Sequence, residues 1–296
     1  MKRVSSFFRY PGGKSKLRNE ITQEITKNPI CKYLEYREPF FGGGSIGLCL
    51  LDAFSCVWIN DKDIGVSCLW TSVINYPEKL KSEVLGFVPS VDNFHKFRKD
   101  LVSTVKIPDI PEELVRVGFE KLAIHQISYS GLGTKSGGPL GGESQESKYK
   151  IDCRWSPEYI CQKIDLLHAK LSNMRIHHNS CTNHDFEQVI NNKHQMAMIY
   201  LDPPYYLKGN DLYQEGFTKQ DHERLASLLK NSGHYWVLSY DDCPEIRALY
   251  DWAEIKTINV NYSITASKKK DTGERLSRVK PELIISKKGE EKWGII

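Results

Sequence analysis

The sequence predicts an α/β fold in which a Rossmann-like sheet carries a mainly helical insertion. Short apolar runs alternate with helical patterns before residue 64 and after residue 173. A glycine-rich turn follows the first predicted strand, and an acidic residue follows the second strand, about 20 residues further on. Between these two parts the alternation stops and helical patterns dominate. We therefore predict a sheet domain formed by residues 1–63 and 174–296, with residues 64–173 as the insertion.

The composition restricts the class of protein and its partners. The 296 residues are 40% hydrophobic, and no run approaches the roughly 20 apolar residues that span a bilayer. We therefore expect a cytoplasmic protein that does not bind membranes. Residues 1–32 hold eight Lys or Arg against two Glu, and residues 266–296 hold nine against five acidic residues. Basic ends of this kind fit two interpretations equally well: a rim that faces a nucleic acid, or ordinary solvated termini.

The cysteine pattern gives no sign of a metal or disulfide framework. The chain has eight cysteines and no Cys-x-x-Cys pair. Reduced and mostly buried thiols are the expected state. We predict no metal site.

The clearest chemical signal lies around residue 202. An apolar run at residues 196–201 predicts a buried strand, which Asp202-Pro203-Pro204-Tyr205 cannot extend because proline lacks a backbone donor. A carboxylate is thereby held at the carboxyl end of a strand, where ligands gather in open parallel sheets. Asp202 and the Pro203 carbonyl can accept the two hydrogens of an exocyclic amine, while Tyr205 lies against the attached base. A proline-rich loop without chemistry explains the same residues.

A second motif lies near the start of the chain. Arg9-Tyr10-Pro11-Gly12-Gly13-Lys14 precedes a predicted helix at residues 15–26, so Lys14 would add a cation beside the free amides of a helix start. A carboxylate or another anion fits such a position. The motif is not a Walker A loop, because only Gly13-Lys14-Ser15 matches that pattern.

The glycine-rich turn follows a strand predicted at residues 33–38. It reads Pro39-Phe40-Phe41-Gly42-Gly43-Gly44-Ser45, with Ser45 as the predicted N-cap of a helix at residues 46–53. The next predicted strand, at residues 55–59, ends before Asn60-Asp61. Asp61 is therefore placed to accept the hydroxyl groups of a ribose.

The insertion is predicted to contain three or four helices, at about residues 64–75, 92–104, 111–127 and 157–173. They enclose a loop at residues 128–155 that contains six glycines within residues 131–142. We expect this loop to be too flexible for the core. The loop would then be either a disordered insertion or a segment that becomes ordered when it binds a partner, for example in a groove of DNA.

The remaining elements follow in order. Strands are predicted at residues 175–179, 235–239, 253–261 and 282–286, and a helix at residues 218–231. Asp185, after the first of these strands, either hydrogen-bonds the amino group of an adenine or simply caps a helix. Basic residues at 268–280 form the tip of a predicted hairpin that could contact phosphates.

The ordered motifs resemble those of Dam-type DNA adenine methyltransferases. These motifs are Arg9-Tyr-Pro-Gly-Gly-Lys14, Glu38-Pro-Phe-Phe-Gly-Gly-Gly44, Asn60-Asp61, Asp185-Phe186, Asp202-Pro-Pro-Tyr205 and Val237-Leu-Ser-Tyr-Asp241. The family places its cofactor motifs first, then a target-recognition insertion, then the catalytic Asp-Pro-Pro-Tyr, and this chain keeps that order over nearly its full length. Glu38 stands where many relatives carry Asp. The loop at residues 128–155 departs from the GATC-specific members, so no target sequence is predicted.

The resemblance implies a Rossmann-like S-adenosylmethionine-dependent methyltransferase with a helical target-recognition insertion. It implies methyl transfer to the N6 amine of a flipped adenine in double-stranded DNA. A bacterial or phage-encoded origin is expected. A cognate restriction endonuclease is a possible partner, and no oligomeric state is implied. The residues implied in catalysis are Asp202, Pro203, Pro204 and Tyr205. The residues implied in S-adenosylmethionine binding are Tyr10, Lys14, Phe40, Gly42, Gly44, Asp61, Asp185 and Asp202.

Two rival functions stay open on the sequence. One keeps the fold but acts on a cytosine amine, an RNA adenine or a side-chain amide; cytosine-amine enzymes usually carry Ser in place of Asp202, and amide enzymes Asn. The other is a DNA-binding regulator without turnover, and the intact Lys14, Asp61 and Asp202 speak against it. A covalent route through cysteine is disfavoured because the chain has no Pro-Cys dipeptide.

Overall fold

The computed structural model describes residues 6–8, 14–27, 29–207, 216–261 and 279–288. Within these ranges the chain forms one six-stranded sheet and ten α-helices. The strands are β1 (Glu35–Glu38), β2 (Cys56–Ile59), β3 (Ala197–Leu201), β4 (Tyr235–Asp241), β5 (Glu254–Asn261) and β6 (Val279–Ser286). The helices are α1 (Arg18–Thr26), α2 (Gly47–Leu50), α3 (Ile64–Asn75), α4 (Pro77–Gly86), α5 (Val91–Ser103), α6 (Pro111–Ile127), α7 (Pro157–Ser172), α8 (Phe186–Ile190), α9 (Lys219–Asn231) and α10 (Pro244–Leu249).

The sheet confirms the predicted α/β fold and fixes its topology. The strand order is β2-β1-β3-β4-β6-β5. The first four strands run parallel, whereas β6 pairs antiparallel with both β4 and β5. The chain leaves β1 for β2 on one side and returns to β3 on the other. A crevice is therefore expected at the carboxyl ends of β1 and β3, where the winding direction reverses.

Helices cover both faces of the sheet, and alternate residues of β3 show this. Met198 and Tyr200 belong to a core shared with α1 and with α3 and the other helices of the predicted insertion. Ile199 and Leu201 belong to a second core, which packs against α8, α9 and α10. Because successive side chains of a strand point to opposite faces, a central parallel strand reads as a continuous apolar run. That pattern is why residues 196–201 were recognisable in the sequence.

The insertion has one more helix than predicted. The four predicted helices are found at α3, α5, α6 and α7, and α4 is additional. Pro77 occupies the first turn of α4, and only Leu80 and Val84 of this helix are buried. A short charged helix with only two buried residues gives a weak periodic signal in the sequence. The stability of such a helix comes mainly from packing on neighbouring helices.

Gly118 of α6 provides a stability prediction. A Cβ atom built there would lie 2.8 Å from the Cα and N atoms of Leu69 in α3, so the two helices touch backbone to backbone. Gly118→Ala is therefore expected to reduce the free energy of unfolding by about 1–3 kcal/mol, although alanine is the better helix former. Gly86, also helical, has no atom within 4 Å of such a Cβ, and Gly86→Ala should stabilise by up to about 1 kcal/mol. Urea unfolding measures both, and stabilisation by both substitutions would contradict the packing.

The loop at residues 128–155 is packed, and the expectation that it is too flexible for the core was wrong. Leu140 and Ile151 are buried, and Ser128 forms an antiparallel bridge with Pro139. The Ser136 hydroxyl donates to the Tyr129 and Gly138 carbonyls at 3.0 and 2.8 Å. Glycine content suggested flexibility, but buried apolar side chains anchor the segment and the Ser136 hydroxyl bonds its backbone carbonyls.

Three local predictions need correction. Residues 175–179 form no strand: His177–Asn179 is a 3₁₀ turn in which His178 and Asn179 have positive φ, and only one bridge joins Ile176 to Val57 of β2. The predicted strand at residues 33–38 is shorter, because a 3₁₀ turn occupies Pro29–Tyr33. Ser45 is not an N-cap, since α2 is capped by Ile46 and gains no side-chain hydrogen bond there.

Candidate functional site

The carboxyl ends of the parallel strands open into a cleft that gathers most of the predicted site residues. Of the predicted residues, those lining it are Lys14, Phe40, Gly42, Asp61, Asp185, Asp202 and Pro204. Residues from five separate predicted motifs therefore share one cavity. Gly44, Pro203 and Tyr205 are not among the described lining residues, although each adjoins one that is. Tyr10 lies outside the described residues.

The glycine turn is tied to the residue that follows β2. The amide of Gly42, whose φ is +48°, donates to Asp61 Oδ2 at 2.6 Å, and the amide of Asp63 donates to Asp61 Oδ1 at 2.9 Å. Burial, together with the neighbouring Asp63, raises the pKa of Asp61 to about 7. The Asp61 carboxyl thus titrates near neutral pH inside the cleft.

Helix α3 supports this turn from the side of the insertion. Trp70 Nε1 donates to the Gly42 carbonyl at 2.8 Å, and the Ser67 hydroxyl donates to the Asp61 carbonyl at 2.8 Å. Asp63 caps the helix by accepting from the amide of Val66. The first helix of the predicted insertion is therefore bonded directly to the candidate cofactor turn.

Asp202 stands at the end of β3 with one oxygen already engaged. Asp202 Oδ1 lies 3.0 Å from Lys14 Nζ and accepts a hydrogen bond from the Ser239 hydroxyl at 3.0 Å. One quarter of the side-chain surface remains exposed, so the carboxylate is accessible from the cleft. Burial raises the pKa of Asp202, and the cationic Lys14 partly offsets that effect. Such a shift, combined with a specific charge partner in a cleft, is typical of functional carboxylates.

Lys14 contacts the Asp-Pro-Pro-Tyr element, which the sequence did not indicate. Its ammonium donates to the Tyr205 hydroxyl and lies 4.2 Å from the centre of the Tyr205 ring. It also lies 3.4 Å from Glu282 Oε2, and that oxygen accepts the Tyr205 hydroxyl at 2.7 Å. The side chains of Lys14 and Glu282 are 2% and 4% exposed. Lys14 therefore sits between two carboxylates and one phenol.

Asp241 fixes the segment that follows Tyr205. Its Oδ1 accepts from the amide of Tyr206 at 3.0 Å, and its Oδ2 accepts from the amide of Leu207 at 3.1 Å. Asp241 ends β4, so the two strand ends hold each other at the mouth of the cleft. The rigidity expected from two prolines is thus reinforced by a carboxylate from the neighbouring strand.

Asp185 caps a helix, which was one of its two predicted roles. It accepts from the amide of Glu187 and completes a capping box with Gln188 at the start of α8. The guanidinium of Arg224 reaches both of its oxygens at 3.1 and 3.2 Å. The second predicted role, a hydrogen bond to an adenine amino group, stays a prediction.

An aromatic wall lies beside Asp185. The ring of Phe40 is 5.8 Å from the rings of both Phe186 and Phe217, and Arg224 lies over Phe186 at 4.2 Å. All four residues line the cleft. A flat apolar group such as a purine is suited to this surface.

Sequence reasoning missed Glu282 and undervalued Glu38. Glu38 ends β1, is 2% exposed and accepts the Tyr36 hydroxyl at 2.7 Å, while burial raises its pKa strongly. Glu282 pairs with Asp241 in the antiparallel register of β4 and β6. Both strands were predicted, but their pairing was not, so nothing placed Glu282 beside the cleft. An acidic residue at the start of the apolar run 283–285 was the signal that could have drawn attention to it.

The described residues contain one group that could offer metal ligands, and it lies away from the cleft. Glu35, Cys56 and His177 meet at the amino-terminal ends of β1 and β2. Glu35 is already paired with His177 at 2.9 Å and with the buried Arg37 at 2.6 Å. All eight cysteines are free of disulfide bonds. Among the described helices, none combines the length and hydropathy needed to cross a lipid bilayer.

Comparison with protein families gives a match over most of the chain. The family model described as D12 class N6 adenine-specific DNA methyltransferase matches residues 10–264. A search of curated proteins found no match. The matched range contains the glycine turn, the whole insertion and the Asp-Pro-Pro-Tyr element, and it ends before β6.

Proposed function

Because this chain belongs to the D12 class of N6 adenine-specific DNA methyltransferases, a family of enzymes that methylate DNA, we propose a specific assignment of roles within its cleft. In this proposal Asp202 orients the exocyclic amine of an adenine flipped out of double-stranded DNA, and S-adenosylmethionine occupies the same cleft. The observation that carries it is the accessible Asp202 carboxylate at the end of β3, in one cavity with Asp61 and the glycine turn.

The donors and acceptors of the cleft fit S-adenosylmethionine, the cofactor that this family typically uses. Asp61 offers carboxylate oxygens to ribose hydroxyls, and Phe40, Phe186 and Phe217 offer an apolar wall to an adenine ring. Asp185 lies at the edge of that wall, where a carboxylate can accept an amino group. When bound, the sulfonium supplies the methyl group.

The chain's own residues would orient the amine. Asp202 and the Pro203 carbonyl accept its two hydrogens, which withdraws the nitrogen lone pair from the ring and directs it outward. Tyr205 lies against the base. Extruding the base costs a few kcal/mol, which DNA contacts must offset. Catalysis then rests on positioning and on preorganised charge.

We assign target recognition to the insertion, and in particular to residues 128–155. Tyr129 and Tyr149 are 64% and 63% exposed, and Lys135 and Lys148 are also exposed on this segment. Exposed aromatic rings interleaved with lysines suit contacts with bases and phosphates. The basic hairpin tip predicted at residues 268–280 lies mostly outside the described residues. A cognate restriction endonuclease and a bacterial or phage origin stay predictions.

The test of this function is methyl transfer by the purified protein. Duplex DNA, single-stranded DNA and RNA would each be incubated with tritium-labelled S-adenosylmethionine, and the modified base identified by nucleoside mass spectrometry. N6-methyladenine in the duplex is expected. Methylcytosine, methylation of RNA alone, or no label in any nucleic acid would overturn the proposal.

The pH dependence of cofactor affinity tests the role of Asp61. Its carboxyl pKa is about 7 in the free protein, and ribose hydroxyls bind the ionised form. Affinity for S-adenosylhomocysteine should therefore weaken as pH falls below 7, approaching tenfold per pH unit. Calorimetric titration measures this. Asp61→Asn should weaken binding and flatten the pH profile, whereas Glu120→Gln, which removes another carboxyl with a pKa of about 7, should leave the slope unchanged. An unchanged slope in Asp61→Asn would exclude the assignment.

The same carboxyl affects folding. In the unfolded chain Asp61 ionises near its ordinary pKa of 3.8, and in the folded protein near 7. Between these values the folded state holds the extra proton, so its contribution to stability is lost as pH rises through the window. A ligand that binds the ionised form offsets that loss.

A further inference from the structure

Glu282 is a buried carboxylate beside the proposed chemistry, and the assigned roles give it no use. Glu282 lies on β6 and is 3% exposed. In the antiparallel pairing of β6 with β4 it stands opposite Asp241. Its Oε2 accepts the Tyr205 hydroxyl at 2.7 Å and lies 3.4 Å from Lys14 Nζ. Lys14 in turn contacts both Tyr205 and Asp202. One carboxylate therefore contacts both Lys14, the cationic partner of Asp202, and Tyr205.

We propose that Glu282 is a positioning residue of the methyl-transfer site, which fixes the Lys14 ammonium beside Asp202 and the plane of the Tyr205 ring. The inference rests on the proposed function and adds a residue to it. Three charges are involved: one ammonium is shared between two carboxylates. A buried ion pair of this kind needs hydrogen bonds to its remaining groups, and the Tyr205 hydroxyl supplies one.

The geometry explains why the arrangement matters for catalysis. Without the Glu282 carboxylate, the Tyr205 hydroxyl loses this hydrogen bond, and the Lys14 ammonium can shift towards Asp202. The first change loosens the ring proposed to face the target base. The second strengthens the hold of a cation on the carboxylate that has to accept the amine. Displacements of about 1 Å at a reacting centre can cost on the order of 100-fold in rate.

The charge balance around Asp202 makes the inference testable by pH. The charged and titratable groups that interact electrostatically with Asp202 include Lys14, Glu38 of β1, Tyr200 of β3, Tyr240 of β4 and Glu282 of β6. Glu282 contributes to the raised pKa of Asp202, and Lys14 lowers that pKa. Removing the charge of Glu282 should therefore lower the pKa of Asp202.

The experiment compares wild type with Glu282→Gln by single-turnover methyl transfer across pH. We expect the plateau of the pH–rate profile to fall roughly 10- to 100-fold. The acid limb, the part of that profile in which the rate falls with falling pH, should move to lower pH. The affinity for S-adenosylhomocysteine should stay within about threefold of wild type. Tyr205→Phe removes the hydroxyl that donates to Glu282 and accepts from Lys14, but it keeps the charges of Lys14, Asp202 and Glu282. It should lower the plateau rate while leaving the acid limb in place.

Glu24→Gln is the matched control. Glu24 is likewise buried and paired with lysines, at 2.5 Å to Lys27 and 2.6 Å to Lys256, but it contacts Ser286 at the other end of β6. Its removal should alter stability without moving the acid limb. If Glu282→Gln proves unfolded by circular dichroism, Glu282→Asp replaces it, with a lower plateau rate and a wild-type acid limb expected.

The outcomes separate the two proposals. Absence of methyl transfer by the wild type overturns the function itself. Wild-type activity with Glu282→Gln matching Glu24→Gln in plateau rate and acid limb overturns the role of Glu282 alone, as does a wild-type rate in Glu282→Asp.

Discussion

Replacing Asp202 with alanine is expected to lower the single-turnover rate of methyl transfer by at least roughly 100-fold while leaving the fold intact. The substitution removes the charged acceptor that we propose orients the amine, a loss comparable to that of one preorganised hydrogen-bonding group in an active site. Lys14 keeps Glu282 as an anionic partner, so no buried cation is left alone. Circular dichroism and transfer of a tritiated methyl group to duplex DNA measure the two effects.

Asp242→Ala serves as the control for this variant. Asp242 is also an aspartate near a strand end, but it pairs with Arg247 at 2.7 Å and is not among the described lining residues of the cleft. Its removal should change the rate by less than about threefold, as expected away from the site. Retention of a tenth of the wild-type rate by Asp202→Ala would refute the role assigned to Asp202.

Lys14→Met is expected to have the second largest effect and the opposite pH signature to Glu282→Gln. The substitution leaves the Asp202 and Glu282 carboxylates without their shared cation, so burial is no longer offset and the pKa of Asp202 should rise. The acid limb of the single-turnover rate should move to higher pH. The free energy of unfolding should drop by about 3 kcal/mol, as when one partner of a buried pair is removed.

Lys256→Met provides the comparison, since Lys256 pairs with the buried Glu24 at 2.6 Å outside the cleft. It should cost less stability, because nearly half of its side chain is exposed, and it should leave the acid limb unchanged. Urea unfolding and the rate profile give both quantities. An acid limb that moves downward in Lys14→Met would contradict the charge balance described for Asp202.

The sequence predicted the parts of the fold in which local patterns and tertiary packing agree. The apolar run of β3, the capping box of Thr218 and Asp221, and the long periodic helices α6 and α7 lie where their patterns placed them. Patterns failed where packing overrides them. The glycine segment at residues 131–142 suggested flexibility, yet buried Leu140 anchors it. Residues 175–179 were predicted as a strand, but positive φ at His178 and Asn179 interrupts the pairing with β2 after Ile176.

The site was predictable only as far as its motifs reached. Asp61 and Asp202 could be recognised because each follows an apolar strand, and parallel strands bring their carboxyl ends together. The contact of Lys14 with Asp202 joins residues 188 positions apart in the chain, and Glu282 comes from a strand paired in the opposite direction. Such partners depend on strand order and register, which a single sequence does not encode locally.

Helix α3 has a consequence for how DNA and cofactor affect each other. Through Trp70 and Ser67 it is hydrogen-bonded to the Gly42 and Asp61 carbonyls, and it packs along α6, the helix that leads into residues 128–155. A ligand that binds residues 128–155 and shifts α3 therefore changes the free energy of the glycine turn at Gly42, and a ligand at that turn acts on α3 in the same way. Thermodynamic reciprocity then requires that any factor by which bound DNA changes cofactor affinity equals the factor by which bound cofactor changes DNA affinity.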